Sequence, residues 1–322
     1  MSKKKVVKAF APGAISSFFE IFDTNPDGTP IVDLSCIGAR GGGFGLELGV
    51  HTTVTLEEAF KSGVKIFING QFAPEALVSQ AVAWMFLGKV SKQFSVVVDH
   101  RIDVPVGMGF GTSAGGALTT GLALREALGL SLTYNQVGQI AHLAELEFHT
   151  GLGTVSSLSD SGGLVLVTEP GAPGVCKLDR IPFSSNYVVV AGFYGSKISK
   201  DDVFYSSVGR KLEVNRFGRA ALVGILEEPS VVNFLSCCWL FAQRAGFASE
   251  RVCELVRLAV EAGAVGAAQN MIGEAVHAVV LKENASFVVD AFKRVLPMEQ
   301  VLCCGVDLQG ARLVDNVDEK AF

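Results

Sequence analysis

The chain alternates between short runs with a two-residue apolar period and longer runs with helical spacing. Residues 6–10 predict a strand that stops at Ala11-Pro12-Gly13. Residues 45–56 alternate and are rich in β-branched side chains, the signature of a second strand. Residues 65–69 and 71–72 flank Gly70 as a hairpin. There follow a helix over 74–87, a strand over 94–102, a helix over 113–128 stopped by Gly129, a helix over 135–149 and a strand over 163–168. Beyond these the pattern predicts a strand over 187–193, a helical region over 201–263, and a strand–helix–strand ending over 275–281, 285–295 and 301–306. Turn residues are densest at Glu169-Pro-Gly-Ala-Pro-Gly174, which predicts two domains, 1–170 and 171–322. The class is α+β, with antiparallel signals in the first half.

Composition narrows the function classes. Of 322 residues, 49% are hydrophobic and 18% charged, which makes a globular chain rather than a disordered one. The net charge of -5 argues against a nucleic-acid partner or an anionic membrane surface, which a basic face would serve. The most apolar stretches, 231–242 and 275–281, fall short of the roughly 18 residues of a helical membrane span. The basic start is not followed by a signal-type apolar segment, so a cytoplasmic protein is expected. The seven cysteines are irregularly spaced, with two adjacent pairs and no Cys-x-x-Cys, a pattern of buried thiols in a reducing compartment.

Candidate chemistry concentrates in residues 96–128, read as strand, glycine-rich loop and helix. Gly107, Gly109 and Gly111 let the backbone approach a ligand, and the helix beginning near Thr112 and Ser113 presents free N–H groups to a phosphate. The two hydroxyls could cap that helix or hold Mg²⁺. Gly115 and Gly116 weaken the first turns, which a close ligand or backbone contact would explain. No lysine follows the last glycine, so this is not a Walker A loop, and the glycine spacing does not fit a dinucleotide fingerprint. In the next helix His142, Glu145 and His149 share one face, but the histidines are two turns apart, too far for a zinc chelate. A carboxylate at Glu145 assisting Mg²⁺ beside a triphosphate competes with a solvated surface glutamate.

Pro105-x-x-x-Gly-Phe-Gly-Thr-Ser-Ala114 resembles the phosphate loop of the GHMP kinases, which include galactokinase, homoserine kinase, mevalonate kinase and phosphomevalonate kinase. Within them the chain looks most like the archaeal pantoate kinases of coenzyme A biosynthesis. The likeness extends to Ala9-Phe-Ala-Pro-Gly13 with Phe18-Phe-Glu20, Gly38-Ala-Arg-Gly-Gly-Gly43, Thr150-Gly-Leu-Gly153, Gly162-Gly163, Tyr194-Gly195 with Ile198-Ser199, and Gln269-Asn-Met-Ile-Gly273. The resemblance implies a ribosomal-protein-like N-terminal domain, a ferredoxin-like C-terminal domain, and ATP with Mg²⁺ as cofactors. Gly107, Gly109, Phe110, Gly111, Thr112, Ser113 and Ala114 would form the nucleotide loop. Ser113 and Glu145 would hold Mg²⁺, His142 would lie near the site, and Arg40 would meet the carboxylate of pantoate or a similar hydroxy acid. A homodimer is left open.

Departures from the family pattern fall on the substrate side. Ala14 stands for the usual histidine, Ala39 for a serine, and Thr154 for the expected catalytic aspartate; the basic residue expected after Gly162-Gly163 is absent. Asp160 is the nearest spare carboxylate. Phosphoryl transfer rests mainly on positioning and charge neutralisation, so Thr154 does not exclude turnover. A kinase for another small hydroxylated metabolite and a non-catalytic binding protein on the same fold stay open as alternatives.

Overall fold

The computed structural model describes residues 4–25, 27–159, 162–195 and 207–314. Strand β1 (Lys5–Phe22) pairs antiparallel with β2 (Gly38–Glu58) along almost its whole length. It does not stop at Pro12-Gly13 as the sequence pattern predicts. A register shift at Pro12/Gly13 absorbs the proline, and among the described residues the outer edge of β1 is bordered by a strand only at Lys8–Phe10, where β12 (Arg312–Val314) pairs. Proline fits such a strand edge at a bulge. The partner glycines let the two strands approach: a side chain at Gly43 would collide with the carbonyl of Ile15.

The first sheet runs β12-β1-β2-β5-β3-β4. The strands β3 (Gly63–Ile68) and β4 (Gln71–Phe72) form the expected hairpin, with Asn69 and Gly70 both at positive φ. β5 (Phe94–Ile102) lies antiparallel to the second half of β2, while β6 (Leu164–Glu169) pairs with its first half and with β7 (Lys177–Ile181). Helices α1 (Leu77–Leu87), α2 (Thr112–Leu128), α3 (Tyr134–Glu147) and α4 (Thr154–Ser159) share the first core with this sheet. Gly115 and Gly116 are explained by packing: added methyls would lie 3.0 Å from Val50 and 3.2 Å from Ser79. The glycine-rich turn at 170–174 therefore joins two strands of one sheet, and the chain crosses to the second sheet between Ile181 and Tyr187.

The second sheet, β11-β8-β10-β9, is antiparallel throughout. Its strands are β8 (Tyr187–Phe193), β9 (Gly266–Gln269), β10 (Ala275–Leu281) and β11 (Val301–Cys304). Helices α5 (Val208–Glu227), α6 (Val231–Arg244) and α7 (Glu250–Glu261) connect the first two strands, and α8 (Ala285–Phe292) precedes the last. Strand, helices, two strands, helix and strand in spatial order 4-1-3-2 is the ferredoxin-like arrangement expected. The first part of the predicted helical region, 201–206, lies outside the described residues. A shared core of Phe18, Phe19, Phe44, Phe234 and Phe241 joins the halves, with ring centroids 5.4–6.4 Å apart. Burying side chains of this size contributes on the order of 2 kcal/mol each, so the halves behave as one packed body. Among the described residues no helix is long and apolar enough to cross a membrane.

Candidate active site

The free edge of β1 organises the site. Beyond β12 its backbone groups are taken in turn by three other segments. The amide of Ala14 donates to the carbonyl of Phe110, 2.9 Å away, and the carbonyl of Ser16 accepts from the amide of Met271 at 2.7 Å. Asn215 on α5 bonds both the amide and the carbonyl of Ile21, at 2.7 and 2.9 Å. A strand edge cannot leave these groups buried and unpaired, so it draws the glycine loop, the 270–273 segment and α5 together.

Gly107, Gly109 and Gly111 all have positive φ. At Gly109 a methyl group would lie 3.1 Å from Cβ of Asn270, and at Gly111 it would lie 2.7 Å from Ala14 and 2.9 Å from Thr154. The loop is thus tightly walled, which leaves its amides rather than side chains to face a ligand. The Phe110 side chain turns into the core, 6.1 Å from the ring of Phe193, so only its backbone stays with the loop. Ala114 is buried. Gly111 is the N-cap of α2 and provides no side-chain cap. Neither Thr112 nor Ser113 caps the helix.

The hydroxyl of Ser113 instead donates to Oε1 of Glu145, and Thr150 donates to the same oxygen at 2.5 Å. Glu145 is only 2% exposed, not a solvated surface residue. No lysine or arginine among the described residues makes an ion pair with it. Its other oxygen lies where a side chain on Gly151 would collide with it. A buried carboxylate whose partners among the described residues are hydroxyls is costly unless a cation completes it. No cluster of three acidic, His or Cys residues that could hold a metal occurs among the described residues. One carboxylate and a serine hydroxyl beside a glycine-rich loop at a helix N-terminus is the kind of partial oxygen set that suits Mg²⁺, which keeps waters and phosphate oxygens as further ligands.

The remaining predicted residues divide. His142 is buried, and its Nε2 donates to the carbonyl of Ile37 at 3.0 Å; burial holds its pKa below the usual value. It ties α3 to the start of β2 and makes no hydrogen bond to the loop. His149 lies beyond the end of α3, exposed and at positive φ, so it does not share the face of Glu145. The expected helix runs two residues too far because Thr150 turns back to bond Glu145. Thr154 begins α4 and touches the loop at Gly111. Asp160, Ile198 and Ser199 lie outside the described residues.

Ala14, Ala39 and Thr154 meet in one cavity of about 850 Å³, counting its open mouth. The glycines of β2, Gly151–Thr154, and Met271-Ile272 complete it, with Phe18, Phe19, Leu152, Val165 and Val167 as apolar walls. Arg40 is the only charged side chain among the described residues that line it. Its Nε and one terminal nitrogen bind Oε2 of Glu20, the former at 2.9 Å, and its guanidinium stacks 4.8 Å from the ring of Phe22. Sequence reasoning missed the role of Glu20. The signal was there: a lone carboxylate in the apolar run Phe18-Phe-Glu-Ile-Phe22 has to be paired if it is buried.

The chain is similar to known proteins over most of its length. Residues 76–161 match the N-terminal domain of GHMP kinases. Pantoate kinase of Thermococcus kodakarensis is 30% identical over 286 residues, 87% of this chain and 89% of that protein. Pantoate kinase of Methanocaldococcus jannaschii is 29% identical over 85% of this chain and 93% of that protein. A solved structure described as a phosphotransferase related to the CoA biosynthesis pathway superposes with a TM-score of 0.84 at 25% identity, covering 97% of this chain and all of that one.

Proposed function

This chain belongs to the pantoate kinase family of the GHMP kinases, and from that premise we propose that it phosphorylates pantoate to 4-phosphopantoate with ATP, on the route to coenzyme A. The observation that carries the reading is the bond from half-buried Ser113 at the head of α2 to buried Glu145, beside a glycine loop whose last residue abuts the cavity holding Arg40. Pantoate has a carboxylate at one end, a hydroxyl at the other and two geminal methyls between. Arg40 would pair with the carboxylate and the apolar walls would enclose the methyls.

The loop amides and the N-terminus of α2 would bind the triphosphate. Ser113 and Glu145 would hold Mg²⁺, which when bound would neutralise charge on the β- and γ-phosphates. The terminal hydroxyl oxygen forms a bond to the γ-phosphorus as the bond to the bridging oxygen of ADP breaks, and the hydroxyl proton leaves to solvent. No carboxylate stands among the described lining residues to take that proton, so positioning carries the reaction, as suits a loose transition state.

The test is ADP release with Mg-ATP, with and without D-pantoate. Pantoate-dependent ADP supports the reading. ATP binding without ADP release on pantoate would refute it and favour a second reading: another small hydroxylated substrate, or binding without turnover. That alternative rests on the small, uncharged Ala14, Ala39 and Thr154 in the cavity, and a panel of hydroxy acids and alcohols tests it.

A further inference from the structure

Glu20 is 1% exposed and carries two guanidinium groups. Arg40 takes Oε2, through Nε and a terminal nitrogen. Arg219, on α5, takes Oε1 through Nε at 3.0 Å and a terminal nitrogen at 2.9 Å. The two arginines differ in setting. Arg40 faces the cavity, whereas Arg219 is two-thirds exposed on the other side of the carboxylate. Around Glu20, α5 is fastened to β1 and the residue just after it at three further points: Lys211 to Asp23, Asn215 to Ile21, and Gly218, where a side chain would collide with the carbonyl of Phe19.

We propose that Arg219 and Glu20 are positioning residues for Arg40, coupling helix α5 of the C-terminal half to recognition of the substrate's carboxylate. With one oxygen held by each arginine, the carboxylate cannot turn both oxygens onto Arg40. Arg40 spends Nε and one terminal nitrogen on Oε2, and its other terminal nitrogen is left to meet an anion in the direction this grip sets. The cluster also holds two positive charges against one negative. The surplus charge attracts an anionic substrate, and the fixed carboxylate sets where it is presented. Removing Arg219 neutralises the cluster and frees Oε1, so that Glu20 can turn both oxygens onto Arg40 and re-aim its guanidinium. This rests on the reading of Arg40 as partner of the substrate carboxylate.

Arg219→Gln tests it on the full chain, since the side chain is largely solvent-exposed. The KM and the calorimetric Kd for pantoate should rise about threefold to tenfold, with kcat and the KM for ATP within about twofold of wild type. Arg219→Lys, which keeps the charge but not the two-nitrogen grip, should recover part of the loss. An unchanged KM for pantoate, or equal damage to the ATP KM and kcat, overturns the proposal. A second readout does not depend on turnover. The Nε–H resonance of Arg40, assigned by its loss in Arg40→Lys, should move in Arg219→Gln. An unmoved resonance overturns the coupling even if the wild type proves to act on another substrate; a wild type that ignores pantoate while the resonance moves overturns only the substrate reading.

Discussion

Glu145→Gln separates a functional carboxylate from a structural one. The substitution keeps volume and shape and removes one negative charge. In the folded protein the carboxylate receives hydroxyl bonds from Ser113 and Thr150 and no basic partner among the described residues. Bonds to a charged acceptor contribute about 1.5–3 kcal/mol and neutral ones about 1, so weakening two of them loses roughly 1–4 kcal/mol. Burying an ionised carboxylate without a counter-ion carries a penalty of several kcal/mol, which the amide relieves. The net change without nucleotide should lie between neutral and about 2 kcal/mol stabilising, a rise in Tm of a few degrees at most. Catalysis should move the other way. Losing the charge that holds Mg²⁺ against the triphosphate should lower kcat about 100- to 1,000-fold, equivalent to roughly 3–4 kcal/mol of transition-state stabilisation. Thermal unfolding without ligand and ADP release at saturating Mg-ATP and pantoate measure the two effects. A variant that turns over like wild type but melts earlier would show that Glu145 only holds the helix ends together, and the assigned role would be lost.

Other expectations are as direct. Ser113→Ala should lower kcat strongly with little change in Tm, because its hydroxyl does not cap α2; retained activity would place the phosphate chemistry elsewhere. Gly109→Ala combines a positive φ with a 3.1 Å approach to Asn270, so it should cost about 1–2 kcal/mol locally and raise the KM for ATP; an unaltered KM would count against the loop as the nucleotide cradle. Acid should destabilise the fold. Burial lowers the pKa of His100 to about 4 and of His277 to about 3, against 6.5 for the free side chain. The unfolded chain then binds more protons below pH 6.5, so this stability is full above that pH and is lost as pH falls towards the folded values. Between pH 7 and pH 5 the loss is about 2 kcal/mol per histidine. Denaturant unfolding at the two pH values measures it, and a flat profile would refute the neutral buried assignment.

Much of the first half was legible in order along the chain. The Gly70 hairpin, the strand at 94–102 and the helix closed by Gly129 follow from local period and turn chemistry, and the structure places them with nearly the same bounds. The glycine loop with its serine could be read as a phosphate site because positive φ and a helix N-terminus are local properties. What failed were judgements about neighbours. The proline of Pro12-Gly13 reads as a stop because sequence does not say that β1 is an edge there, where a bulge can absorb it. His149 reads as part of a helix face because the turn of Thr150 back to Glu145 is a tertiary contact.

Sequence by itself therefore determined the α+β class, the glycine-rich loop at a helix start, the family likeness and the residues that could carry chemistry. Only the tertiary structure decided which of them meet. It buried Glu145 under two hydroxyls, directed His142 to the backbone of Ile37, and gathered Ala14, Ala39 and Thr154 from three distant segments into one cavity with Arg40. It also bound Arg40 through Glu20 to a helix about 180 residues away in sequence. The physical reason is that periodicity and turn preference act over a few residues. Pairing of a buried charge and closure of a strand edge are satisfied by whatever the fold brings near, and the sequence names those partners nowhere in advance.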